Sequence, residues 1–170
     1  MLPEETAPFE QLVRKHAGDL FRFAHWLSRD RQQAEDIVQE ALLRGWKAFP
    51  GLRDKDAGKS WLFSIVRNEY YRACAKNAPL ADAVEVEDLE IADERSELFG
   101  FELREALAAL PLSYREPLAL QVLGGYSCAE IAAMLNTTEG ATMTRLTRAR
   151  QALKRLVSPS RGKERKGGRP

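Results

Sequence analysis

The chain has 170 residues, 44% of them hydrophobic and 30% charged, with a formal net charge of +1, as expected for a soluble globular protein. No apolar run of about eighteen residues occurs, which excludes a transmembrane helix. The N-terminal stretch MLPEETAPFEQ is acidic and has none of the basic start and apolar core of a signal peptide, so a cytoplasmic protein is expected. Cys74 and Cys128 stand far apart in no CxxC or Cys/His spacing, and they read as buried or idle thiols.

The charge is distributed in blocks. Residues 1–81 carry 13 basic and 11 acidic side chains, residues 82–97 carry eight acids and one arginine, and residues 98–170 carry 12 basic and six acidic side chains. A near-neutral block, an acidic strip and a basic block point to two domains around a linker, the second facing a polyanion.

Apolar residues recur at three- and four-residue spacing almost throughout, and strand patterns are nearly absent, so an all-α fold is expected. Phe9, Leu12, Val13, His16, Leu20, Phe23, Ala24 and Leu27 form one helical face, and Ala34, Val38, Ala41, Leu42, Gly45 and Phe49 form a second. PGLRDKDAGKS (50–60) breaks the periodicity with proline, glycine and charge and reads as a loop. Ser60 is placed to cap a third helix with an inner face of Leu62, Ile65, Val66 and Ala73. From Asn77 to about Ser96 the acidic, aromatic-poor sequence reads as a linker, because such a composition rarely repays its ordering entropy.

Helical periodicity resumes near Leu98 and runs to Leu110, before Pro111. SYRE (113–116) and SCAE (127–130) both have the capping-box form, and Gly124-Gly125 ends the helix between them. The tail 158–170 carries a net +4 and reads as disordered.

SCAEIAAMLNTTEGATMTRLTRARQALKRL reads as helix, short turn, helix. Ala129, Ala132 and Ala133 allow close crossing, and Asn136-Thr137-Thr138 supplies turn and capping chemistry. On the longer helix Thr142, Leu146, Ala149, Leu153 and Leu156 share one side. Thr144, Arg148, Gln151 and Arg155 lie opposite, flanked by Arg145, Thr147 and Lys154. Residues 139–155 hold five basic side chains against one acid. Arginine suits guanine edges, threonine suits phosphates and the thymine methyl, and a helix fits the major groove, so this is a candidate DNA-recognition helix.

In AEDIVQEALLRGWKAF (34–49) a polar stripe holds Asp36, Gln39, Glu40, Leu43 and Lys47. From spacing alone a solvated face explains it, but Leu43 among polar residues points to a partner surface. Spacing also puts Ser64, Arg67, Asn68 and Tyr71 on the outer side of the third helix.

With AEDIVQEALLRGW, SWLFSIVRNEYYR and LPLSYREPLALQVLGGYSCAEIAAMLNTTEGATMTRLTRARQAL in this order and spacing, the chain resembles the extracytoplasmic-function (ECF) sigma factors of bacterial RNA polymerase. The resemblance implies two helical domains: a sigma region 2 bundle at 1–76 and a sigma region 4 helix-turn-helix at 98–157. Between them lies an acidic linker at 77–97, and a basic tail follows at 158–170.

The resemblance further implies that the face of Asp36, Gln39, Glu40, Leu43 and Lys47 docks on the β′ clamp coiled coil of core polymerase, with the β flap as a second contact. The loop 51–60 and the helix from Trp61 would melt and read the −10 element, with Asn68 and Arg72 at base-contacting positions beside Ser64, Arg67 and Tyr71. The −35 element would be read as duplex by Met143, Thr144, Arg145, Thr147, Arg148, Gln151 and Arg155. The linker would pass the RNA-exit region. An anti-sigma factor is the implied regulator, which would place the protein in the cytoplasm or hold it at the inner membrane.

Two departures bear on the −35 sequence. Thr138-Glu139-Gly140-Ala141-Thr142 stands where the family has a Pro-Val-Gly-Thr-Val-like stretch, and Met143 stands where a polar or basic residue is common. Two other readings stay open at the level of sequence. One is a helix-turn-helix regulator acting without polymerase, which leaves the matches in the first half unexplained. The other is a sigma mimic that titrates an anti-sigma factor. An enzyme is not expected: His16 and His25 accompany no nucleophile, metal or phosphate-loop pattern, and no cofactor or small-molecule substrate is implied.

Overall fold

Helix α1 (Pro3–Ser28) ends where Arg29 takes a left-handed conformation, φ 59°, and donates its amide to the His25 carbonyl at 2.8 Å. Asp30 then caps α2 (Arg31–Ala48) by accepting from the Gln33 amide at 3.1 Å. Two 3-10 turns, Phe49–Gly51 and Lys55–Ala57, lead into α3 (Gly58–Lys76). The second half holds α4 (Leu98–Ala109), α5 (Leu112–Gly124), α6 (Cys128–Met134) and α7 (Glu139–Val157). This is a computed structural model; it describes residues 3–76 and 98–157, and among these there are seven α-helices and no strand. The fold is all-α, and the chain divides into two compact units, one built on α1–α3 and one on α4, α5 up to Gln121, α6 and α7. The expected linker 77–97 and tail 158–170 lie outside the described residues.

In the first unit each helix contributes one apolar face to a common core. Leu20, Phe23, Ala24 and Leu27 of α1 meet Ala34, Ile37 and Ala41 of α2 and Leu62, Phe63 and Val66 of α3, all buried. The Phe23 and Phe63 rings lie 5.1 Å apart. At the other end Phe9 sits edge-on to Trp46 and Phe49, at 5.6 and 5.4 Å. Fully burying one such side chain is worth roughly 1.5–3 kcal/mol, so this apolar core is what holds the three helices together. A Cβ at Gly45 would meet Leu62 and Phe9 at 3.4 Å, an ordinary packing distance.

The second unit buries Ala106, Leu107 and Leu110, then Leu118, Ala119 and Leu120, against Ile131, Ala132, Leu146 and Ala149. Arg115 is buried, and its Nη1 donates to the Leu110 carbonyl at 2.6 Å. A carbonyl left over at the end of α4 thereby gains a charged partner. Gly125, φ 71°, ends α5 as expected.

Four local expectations need correction. Ser60 is not an N-cap, since α3 begins at Gly58 and the Ser60 hydroxyl donates back to the Ala57 carbonyl at 3.0 Å. The expected loop therefore stops at Ala57. Ser113 is not a cap either: α5 starts at Leu112, with the Pro111 carbonyl accepting from the Tyr114 and Arg115 amides. The inner face of α3 is rotated from the one expected, with Phe63 and Tyr70 buried and Ile65 and Ala73 only half-buried. Leu156, expected on the inner side of α7, is 46% exposed, whereas Thr142, Leu146 and Ala149 are buried.

Candidate protein and nucleic-acid interfaces

On α2 the burial of Ala34, Ile37, Ala41 and Gly45 turns the opposite stripe outward. Asp36, Gln39, Glu40, Leu43 and Lys47 are all exposed, as the spacing predicts. Asp36 accepts from Gln32 at 3.3 Å, and Glu40 lies 3.6 Å from Arg44. Leu43 is 56% exposed amid these polar groups and takes no part in the core.

The outer side of α3 is mixed. Asn68, Tyr71 and Arg72 are exposed, whereas Trp61, Ser64 and Arg67 are half-buried. Trp61 rests against Phe49, rings 6.2 Å apart, at the edge of the core. Arg67 places its guanidinium 4.8 Å from the centre of the Tyr71 ring, and Tyr71 meets Tyr70 edge-on at 5.2 Å. An aromatic face backed by a cation and flanked by an exposed amide can stack on an unpaired base and bond its edge. Below this surface lies Glu69, buried and paired with Arg44 and Arg72. Nothing in its spacing marked it, because a lone glutamate among apolar positions gives no sign of its partners on another helix.

The turn before α3 is held by Lys55, whose Nζ donates to the Phe49 carbonyl at 2.8 Å and lies 3.8 Å from the centre of the Phe49 ring. His16, on α1, keeps a lowered pKa through partial burial and then through Lys59 and Lys15, with Asp19 opposing. His25 stacks on Phe21 at 6.1 Å.

In the second unit the helix-turn-helix closes by two complementary caps. Ser127 and Glu130 form a reciprocal capping box at the start of α6. At its end Asn136 is left-handed, φ 52°, and Thr137 and Asn136 donate to the Ala132 and Ala133 carbonyls at 2.9 and 3.4 Å. That pair of bonds is a Schellman motif with asparagine in place of glycine. Thr138 then accepts from the Ala141 amide at 3.1 Å and starts α7.

Thr142, Leu146 and Ala149 face inward on α7. Met143, Thr144, Thr147, Arg148, Gln151 and Arg155 are exposed, and Arg145 is half-buried. Arg150 bonds to Gln121 of α5 and so leaves the outer stripe to the others. The Thr144 and Thr147 hydroxyls donate to the Gly140 and Met143 carbonyls at 3.0 and 2.9 Å. Their protons are committed to the helix, so outward they offer an oxygen acceptor and a methyl group. That chemistry fits base edges better than phosphate, which accepts and does not donate, and it narrows the reading made from residue type alone.

Among the described residues no cluster of His, Cys, Asp and Glu is arranged to hold a metal, and no helix is long and apolar enough to cross a membrane.

The family model for Sigma-70 region 2 matches residues 12–79, and that for Sigma-70 region 4 matches residues 100–153. The chain is 35% identical over 154 residues to the ECF RNA polymerase sigma factor SigM of Mycobacterium tuberculosis, covering 88% of this chain and 76% of that protein. It is 31% identical over 140 residues to the ECF RNA polymerase sigma-E factor of Escherichia coli, covering 73% of each. Among solved structures, the sigma factor RpoE bound to the anti-sigma factor NepR from Bartonella quintana aligns with a TM-score of 0.77 at 30% identity, over 89% of this chain and 97% of that one. CnrH in complex with the cytosolic domain of CnrY aligns with a TM-score of 0.61 at 25% identity, over 88% and 87%. Sigma region 2 and sigma region 4 thus follow one another along the chain, which belongs to the ECF sigma factors of bacterial RNA polymerase.

Proposed function

We propose that this sigma factor divides its work among three helical faces: α2 docks on core polymerase, α3 captures the −10 element, and α7 reads the −35 element. The observation that carries this division is the exposure of the α2 stripe around Leu43, of Asn68 and Tyr71 on α3, and of Arg148 on α7, each with an apolar face buried behind it. The protein acts by binding and supplies no chemistry of its own. Asp36, Gln39, Glu40, Leu43 and Lys47 would meet the β′ clamp coiled coil, and the β flap would take the second unit. Trp61, Ser64, Arg67, Asn68, Tyr71 and Arg72 would form the −10 surface. Met143, Thr144, Arg145, Thr147, Arg148, Gln151 and Arg155 would form the −35 surface.

On this reading, residues 1–76 and 98–157 are the two working domains, and 77–97 is the connection between them. An anti-sigma factor is the proposed regulator, supported by the RpoE–NepR neighbour. The protein works in the cytoplasm, free or held at the inner membrane through that regulator. The test is reconstitution: core polymerase with this chain should give run-off transcripts from promoters enriched by the holoenzyme, and core alone should not. Binding to core without any transcript would instead favour a mimic that titrates a regulator.

A further inference from the structure

Four charges of alternating sign run across the first unit from α2 to α3. Glu40 lies 3.6 Å from Arg44, Arg44 lies 2.5 Å from Glu69, and Arg72 lies 3.4 Å from the same Glu69 oxygen. The two ends are half in water, with Glu40 and Arg72 side chains 51% and 55% exposed, while Glu69 is 7% exposed. Glu40 belongs to the proposed polymerase face and Arg72 to the proposed −10 face. The row therefore joins the two surfaces.

One carboxylate serves two guanidiniums here, and a buried carboxylate holds its partners more firmly than an exposed one does. When Arg44 takes up most of the Glu69 charge, Arg72 is loosely held and can turn to DNA. When Arg44 is drawn toward Glu40, Glu69 has Arg72 as its remaining partner. We propose that Arg44 is a positioning residue which, by taking up the Glu69 carboxylate at 2.5 Å, sets how freely Arg72 reaches the −10 strand.

This rests on the sigma-factor assignment of the two faces, and the experiment separates the two. Holoenzyme is formed at saturating sigma. Its affinity for a pre-melted bubble fragment, selected with wild-type holoenzyme from a pool randomised at −10, is measured at several salt concentrations. Arg44→Met keeps the aliphatic stem and removes the bridge. It should lower bubble affinity by about two- to fivefold, the scale of one partly exposed ion pair, and reduce the salt slope by up to about one. Arg44→Met combined with Glu69→Gln should recover both affinity and slope, because no carboxylate then holds Arg72. A merely structural role for Arg44 moves the melting temperature and leaves the slope unchanged, and a second core substitution does not rescue it.

Wild-type affinity and slope in Arg44→Met would overturn the proposal, as would a double variant no better than the single one. Failure of wild-type holoenzyme to produce any run-off transcript would remove the sigma reading itself. Transcription with no effect of Arg44→Met removes only the bridge.

Discussion

Thr138 accepts the Ala141 amide at 3.1 Å, which closes the first turn of the helix that carries Arg148. The stretch 138–142 departs from the pattern usual in the family, yet the capping function is kept by threonine, and Glu139 in the first turn suits the positive helix end. Thr138→Ala should cost about 1 kcal/mol of stability in the second unit. Thr138→Asp should keep most of it. Urea unfolding followed by helicity tests this, and an alanine variant as stable as wild type would show that the cap contributes nothing.

The helix-turn-helix was legible because its signals are local. A capping box at 127–130, an asparagine at the turn and a 3.6-residue period from Thr142 to Ala149 each act within one or two turns of chain. The outward stripe of α2 was legible for the same reason. Ser60 and Ser113 misled because the capping pattern is only a possibility until the backbone before it is known; here Gly58 and Leu112 are already helical. The α3 face was misjudged because its period leaves several registers open. Packing of Phe63 against Phe23, 62 and 22 residues from the N-terminus's first methionine respectively, is set by the other helix rather than by local sequence. Glu69 was invisible for the same reason, since Arg44 sits on a different helix.

The exposed Leu43 carries the next expectation. Leu43→Asp leaves the core untouched, so helicity and melting should hold while affinity for core polymerase falls by about 2 kcal/mol or more, as for a central interface anchor. Glu40→Arg should weaken core binding in the same direction, and it adds a like charge beside Arg44. Titration of labelled sigma factor into core polymerase checks both. Normal binding by the two variants would move the docking face elsewhere.

On α3, Asn68→Ala and Tyr71→Ala should impair open-complex formation on duplex promoters more than on pre-melted ones. Both side chains are exposed and the Tyr71 ring has Arg67 4.8 Å from its centre, and on the proposed reading the pair holds bases already out of the stack. Extruding a base costs a few kcal/mol, about what stacking and an edge bond return. Permanganate footprinting on matched duplex and bubble templates makes the comparison. Equal losses on both would point to folding or polymerase binding instead.

The two arginines of α7 should fail differently. Arg148 is fully on the outer side with Thr144 and Gln151, while Arg145 is half-buried and turned by about 100° from Thr144. On the proposed reading Arg148 would meet base edges, and Arg145, on the flank, would meet phosphate. Arg148→Ala should lose about 1–3 kcal/mol on the matched −35 duplex and relax discrimination at one position, as a lost bidentate contact does. Arg145→Gln keeps much of the packed stem; it should weaken all sequences alike and lower the salt slope by about one. Holoenzyme is titrated against matched and singly mutated −35 duplexes at several salt concentrations. A uniform loss from Arg148→Ala together with altered base preference from Arg145→Gln would mean that α7 lies in the groove rotated from this orientation.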